Sequence, residues 1–144
     1  MTSRRDLLKA GLAASALLPF ATRADLTAVE GARGFTGTAS LYKVLYDTRF
    51  AASVELARRA AARGLAVHAM AGDMTSFWYD DLYHRWRQGP AAIAGLTAHG
   101  ALFCLERLAW EQRMRVVHRV EHAPLAGEPA QRLFSWVIAP VQRA

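Results

Sequence analysis

Leu41-Tyr42-Lys43-Val44-Leu45-Tyr46, running straight into Asp47-Thr48, decides the fold. The run is short and nearly continuously apolar, the pattern of a strand buried on both faces rather than of an exposed hairpin arm. Asp47-Thr48 then offers helix-capping chemistry. Phe50, Val54, Ala57 and Ala61 recur at helical spacing, which predicts a helix with those four on its inner face. Arg58, Arg59 and Arg63 crowd its far end, favourable to the helix dipole, and Gly64 supplies a stop. Leu65 to Ala71 is a second apolar strand, so residues 41–71 read as a βαβ unit with parallel strands.

Outward from that unit, Gly72-Asp73-Met74-Thr75-Ser76 ends the strand and starts another helix. That helix carries Trp78, Tyr79, Leu82, Tyr83 and Trp86 on a broad face and stops at Gly89-Pro90. Ala91 to Gln112 is apolar nearly all round and reads as one deeply buried helix containing Gly95 and Gly100. A glycine inside a helix costs ~1 kcal/mol against alanine, which close backbone packing or a ligand would justify. Val116-Val117-His118-Arg119-Val120 reads as a third strand and Leu133 to Ala139 as a fourth. The Pro/Gly loop from Pro124 to Pro129 implies an antiparallel return between them. The expected fold is α/β: a small mixed sheet of about four strands, order β-α-β-α-α-β-β, with helices packed on it. It spans residues 41–144 as a single domain.

The chain has 144 residues, 53% of them hydrophobic and 21% charged. That balance excludes a disordered, collagen-like or polytopic membrane chain. One cysteine, Cys104, excludes an internal disulfide and a multi-cysteine metal site. Its context, Ala101-Leu102-Phe103-Cys104-Leu105, predicts a buried thiol.

The N-terminus has a basic stretch (Arg4, Arg5, Lys9), an apolar stretch from Ala10 to Ala21, and small residues at Thr22-Arg23-Ala24. This is the tripartite pattern of an export signal, and the apolar part is shorter than the ~20 residues a membrane span needs. Ser3-Arg4-Arg5-Asp6-Leu7-Leu8-Lys9 resembles the signals of the twin-arginine family, with Leu7 where that consensus has Phe. The resemblance covers residues 1–24 alone. It implies recognition of Arg4 and Arg5 by the twin-arginine export machinery, a periplasmic destination, and passage in the folded state. A small chain takes such a route when it holds a cofactor, folds fast or travels with a partner. Residues 25–40, rich in Gly, Ala and Thr, read as a flexible tether.

Without residues 1–24 the chain loses four of its 18 Lys+Arg and one of its 12 Asp+Glu, so the formal charge drops from +6 to +3. No basic run interleaved with aromatics is left, which argues against nucleic acid as a partner. Gly-x-Gly-x-x-Gly, P-loop, Gly-x-Ser-x-Gly and His-Glu-x-x-His patterns are all missing from the sequence, and no cofactor is named by any motif.

Ligands of open α/β sheets sit outside the carboxyl ends of the parallel strands. Asp47-Thr48 and Asp73-x-Thr75 follow two such ends. Adjacent loops would bring Asp47 and Asp73 together, where mutual repulsion suits acid–base work or a cation; alternatively each aspartate caps a helix. Thr97-Ala98-His99-Gly100 interrupts the apolar helix, and His99 is either a general base near those loops or a silent core histidine. The candidate catalytic set is therefore Asp73, His99 and Asp47, with Thr75 and Thr97 as ligand-binding hydroxyls. Asp80 and His84 stand at i, i+4, but two ligands do not make a metal site. His118 and His122 share a strand face ~13 Å apart, too far for one ion. The aromatic helix is either core or a partner-binding patch. These observations lead to two expectations. One is an exported binding or accessory protein carried folded with a periplasmic partner. The other is a small periplasmic enzyme or ligand-binding protein using the carboxylate/His pocket.

Overall fold

The computed structural model describes residues 41–123 and 126–141. The expected signal with Arg4 and Arg5, the tether, and the start of the Pro124 loop lie outside the described residues. Five strands form one sheet: β1 (Lys43–Asp47), β2 (Val67–Met70), β3 (Ile93–Ala98), β4 (Met114–His122) and β5 (Leu133–Pro140). The helices are α1 (Ala51–Ala62), α2 (residues 75–87) and α3 (His99–Glu111). The middle of α2, Trp78–Leu82, is a π-helical turn. The sheet order is β2-β1-β3-β5-β4. β1 runs parallel to β2 and β3, while β3–β5 and β5–β4 are antiparallel.

The mixed α/β architecture is as expected, but the order is β-α-β-α-β-α-β-β with five strands. The added strand is β3, which the sequence reading merged into one helix with α3. Residues 91–98 are all buried. A central strand covered on both faces carries no polar alternation, so continuous apolarity looks the same for it as for a buried helix. Thr97 accordingly lies inside β3, not in a helix. The helix begins only at His99, where the polar residues return.

Helices cover both faces of the sheet. On one face Phe50, just before α1, and Ala52, Leu56 and Ala60 of α1 form a core with Val44, Leu96 and Val137. On the other, Phe77, Leu82 and Trp86 of α2 and Leu102 and Leu105 of α3 pack on Leu45, Ile93, Trp136 and Ile138. Neighbouring residues such as Val44 and Leu45 point into opposite cores, as the two-residue strand period requires. Each large side chain so buried contributes roughly 1.5–3 kcal/mol.

Three local expectations are corrected. The inner face of α1 is Ala52, Ser53, Leu56, Ala57 and Ala60, whereas Val54 is exposed and Ala61 is also on the surface. The rotation follows from Ser53, whose hydroxyl donates to the Leu96 carbonyl at 2.5 Å and accepts the Asp47 N–H at 2.7 Å. A polar residue with both needs met sits in the core at little penalty. In α2 the π turn splits the aromatics: Phe77 and Trp86 are buried, but Tyr79 and Tyr83 are exposed. Cys104 is exposed, not buried, because Ala101, Leu102 and Leu105 take the inner face of α3. Among the described residues no helix is long and apolar enough to cross a membrane.

Candidate functional site

The chain reverses direction across the sheet between β2 on one side of β1 and β3 on the other. Crevices form at such switch points, outside the carboxyl ends of the strands. A cleft of about 970 Å³ lies there. Arg49 after β1, Ala71–Asp73 after β2 and Ala98–Ala101 at the β3–α3 junction form one part of its wall. Arg119 and Glu121 of β4, Gln131 and Arg132 of the β4–β5 connection, and Phe134 of β5 complete it.

Asp47 is fully buried at the end of β1. Its carboxylate accepts the Arg49 backbone N–H at 3.0 Å and holds the guanidinium through Nε at 3.0 Å and Nη2 at 2.7 Å. The hydrogen bonds that the Arg49 guanidinium donates to Asp47 raise the Arg49 pKa above its ordinary value. Asp47 therefore caps no helix: α1 begins after Phe50 with no side-chain cap of its own. The Ala51 N–H goes instead to the Glu128 carboxylate at 2.8 Å. Thr48 ties this loop to β2 by donating its backbone N–H to the Met70 carbonyl at 2.8 Å. The Arg49 guanidinium lies over Gly72, where a Cβ would come within 2.6 Å of Nη2; φ is +88°, so this position needs glycine twice over.

Asp73 and Asp47 do not form a carboxylate pair, because Arg49 takes up Asp47 and only Arg49 reaches the cleft. Asp73 is exposed in the wall, its Oδ1 accepting the Thr75 N–H at 2.9 Å and the Thr75 hydroxyl at 2.5 Å. Those two bonds hold its pKa below the ordinary carboxylate value. Thr75 thus supports Asp73 and does not itself line the cleft. His99 lines it and is exposed, its ring centroid 5.7 Å from that of Phe134. Thr97 is buried behind the wall; its hydroxyl donates to the Ala98 carbonyl at 3.1 Å and accepts Trp136 Nε1–H at 3.0 Å.

Of the residues singled out from sequence, the cleft brings together Asp73 and His99. It adds Arg49, Arg119, Glu121, Gln131, Arg132 and Phe134. Arg119 and Glu121 alternate along β4 and so share a face, but only the β4–β5 register aligns that face with Phe134. Arg119 stacks on the Phe134 ring, with its guanidinium carbon 4.9 Å from the centroid. Arg132 pairs with Glu121 at 3.2 Å, both side chains largely exposed. Asp80 and His84 are exposed on α2. His122 Nε2 meets the Ser135 hydroxyl at 2.9 Å. Among the described residues no group of three or more His, Cys, Asp and Glu is placed to hold a metal ion.

Comparison with protein-family models, with curated proteins and with solved structures finds no match to any of them.

Proposed function

We propose that the chain is an exported ligand-binding protein that captures a small molecule in the switch-point cleft. The supporting observation is the cleft itself. It has the volume usual for small-molecule sites, roughly 300–1,000 Å³, and it combines apolar and aromatic surface with a few convergent polar groups. Asp73, His99 and the arginines are those groups. Export rests on the resemblance of residues 1–24 to twin-arginine signals, and a periplasmic location goes with it.

Native mass spectrometry of the chain recovered from its own periplasm tests both parts. A small molecule should remain bound to the wild-type chain and be lost from Gly100→Phe, where the new ring enters open space at the cleft. Loss of binding with an unchanged thermal midpoint supports the cleft; retention of the molecule by Gly100→Phe removes it. Changing Arg4 and Arg5 to lysine should strand the precursor in the cytoplasm, and continued export would show another route.

A second reading, an accessory subunit carried folded with a protein partner, has its own observation. Phe103 and Trp110 are exposed on α3, and the Arg107 guanidinium lies over both rings at 5.1 and 4.5 Å. Exposed aromatics bracketing an arginine are the residue types enriched at binding hot spots. A stoichiometric partner protein in the same spectra, without any small molecule, would favour this reading.

A further inference from the structure

We propose that the chain forms a two-fold dimer through the outer edge of β4, with Val120 on the axis and Arg119 of each copy paired to Glu121 of the other. The dimer goes beyond ligand capture and needs no occupant in the cleft.

β4 is the last strand of the sheet and pairs with β5 alone among the described strands. At nine residues it is longer than the ~5–6 of an average strand. Every second residue along it turns its N–H and C=O outward, a template for another strand. Proteins commonly shield such an edge with a bulge or with charges. Here the bulge, between Val116 and His118, leaves residues 118–122 in regular register with β5, and the charges select one partner rather than repel all.

That partner is a second copy, because this stretch is self-complementary in one register. A two-fold antiparallel pair sets the residue on the axis opposite itself and its flanking residues opposite each other. Centred on Arg119, two guanidinium groups face each other; centred on Glu121, two carboxylates do. Centred on His118, Arg119 meets Val117 across the bulge. Centred on Val120, all five residues pair: Arg119 with Glu121 twice, His118 with His122 twice, and Val120 with itself. Opposite charges directly across a ladder stabilise it, and like charges destabilise it. Val120 is 41% exposed in the single chain, and in this register its own counterpart covers it.

The same register brings the dimer to the cleft. Arg119 and Glu121 both line it, on the sheet face that carries Phe134. Arg119 rests on that ring, and Glu121 holds Arg132. Each cleft then borders Arg119 of the second copy, and a row Arg132–Glu121–Arg119 crosses the interface twice. The two clefts share a wall, and two five-stranded sheets become one of ten strands.

The test uses the chain recovered from its own periplasm and carrying Cys104→Ser, which removes its one thiol. Sedimentation over a dilution series should show a species of twice the chain mass. Arg119→Glu and Glu121→Arg should each weaken the dimer about tenfold or more, since each turns two attractive pairs into repulsive ones. The double variant restores both pairs with their charges exchanged and should dimerise near the starting affinity. A disulfide reads the register separately. Directly opposed Cα atoms of an antiparallel pair lie about 4.5–5.5 Å apart, within the span of a disulfide. Val120→Cys should therefore cross-link under mild oxidation. Val117→Cys, 40% exposed, should not, because this register sets the two Val117 positions ~20 Å apart along the strands. Arg119, Val120 and Glu121 are exposed, so the variants should keep the parent's thermal midpoint; should a charge variant fail to fold, the cross-link decides alone. A chain that stays monomeric at every concentration overturns the dimer, as does Val117→Cys cross-linking as fast as Val120→Cys. A dimer that neither charge reversal weakens overturns it too, and so does a different protein in place of the second copy. Ligand capture in the cleft is measured apart from all of these, so the two readings fail separately.

Discussion

Gly95 and Trp136 stand opposite each other across the β3–β5 pair, and a Cβ on Gly95 would lie 2.6 Å from Cζ2 of Trp136. The same Cβ would come within 2.9 Å of the Leu45 carbonyl oxygen. Glycine at this position leaves room for the largest side chain of β5, whose ring occupies the space a Cβ would fill. The indole N–H then reaches Thr97 in the next-but-one position of β3. The close packing that the sequence implied for Gly95 is real, although it occurs in a strand.

Gly95→Ala should therefore destabilise the fold by about 1–3 kcal/mol, the usual range for overpacking a filled core. The upper end applies because one neighbour is backbone and cannot rotate away. Denaturant unfolding with tryptophan fluorescence measures this. Pairing the change with Trp136→Phe should recover part of the loss, since Phe lacks the atoms the new methyl would strike.

Asp47 and Arg49 give a second prediction. The Asp47 side chain is 1% exposed and that of Arg49 31%. Arg49→Ala leaves a buried carboxylate without its cation, and breaking such a pair costs about 3 kcal/mol when one partner is partly solvated. Asp47→Asn should cost less, because the amide oxygen still accepts the Arg49 N–H. The double variant should be less destabilised than the sum of the two, as a thermodynamic cycle on denaturant midpoints would show.

Asp73 separates support from chemistry. Asn keeps the acceptor that Thr75 uses, and Asn and Asp are about equally good at capping helix amides. Asp73→Asn should hold the thermal midpoint at the wild-type value, and Asp73→Ala should lower it. Equal falls for both variants would mean that the charge, not the hydrogen-bond geometry, carries the effect.

Much of this architecture is legible from residue order because strand and helix periods are local. β1, β2 and β5 begin and end within about three residues of where apolar runs and turn residues place them. β3 was not legible, since a strand buried on both faces has no alternation and its sequence runs straight into α3. The inner face of α1 was misread because Ser53 satisfies its hydroxyl through Leu96 and Asp47, contacts that exist only in the folded sheet. The cleft divides the same way. Asp73 follows the parallel strand β2, so the carboxyl-end rule finds it, whereas His99 shows in the sequence only as a polar break in an apolar run, because the strand before it has no alternation. Arg119 and Arg132 come from the antiparallel hairpin, whose register shifts between Val116 and His118. No local pattern carries that shift.

Cys104 on the outer side of α3 should react in the native protein. A thiol-specific chromogenic reagent should titrate one thiol per chain without denaturant and at the same rate after mild heating. Slow labelling that accelerates on unfolding would put the thiol inside. Under oxidising conditions a reductant-sensitive dimer should form, and Cys104→Ser should abolish it.

The last prediction concerns the clamp between α2 and the start of β1. The Asp81 carboxylate, in the π turn, accepts the Tyr42 hydroxyl and pairs with Lys43. Burial works against the Asp81 charge, but the bonds from Lys43 and Tyr42 outweigh it and hold its pKa below the ordinary value. Burial and the bond to Asp81 push the Tyr42 phenol up to about 12. His68 packs on Phe77 with ring centroids 4.6 Å apart, and burial, helped by Lys43, lowers its pKa. The two lowered groups bind more protons unfolded than folded, so each contributes stability above its unfolded pKa and loses it on acidification. The His68 contribution should fade as pH drops below about 6.5 and that of Asp81 below about 3.9. The raised Tyr42 phenol acts in the opposite sense, stabilising below about 10 and losing that contribution as pH rises toward 12. Denaturant midpoints from pH 3 to 11 should trace a plateau between about 7 and 10. His68→Gln should flatten the slope between pH 7 and 5. Asp81→Asn should lower the plateau and reduce the acid slope without abolishing it, because Asp73 and Glu55 also have lowered values. An unchanged slope between pH 7 and 5 in His68→Gln would show that His68 titrates alike in the folded and unfolded chains.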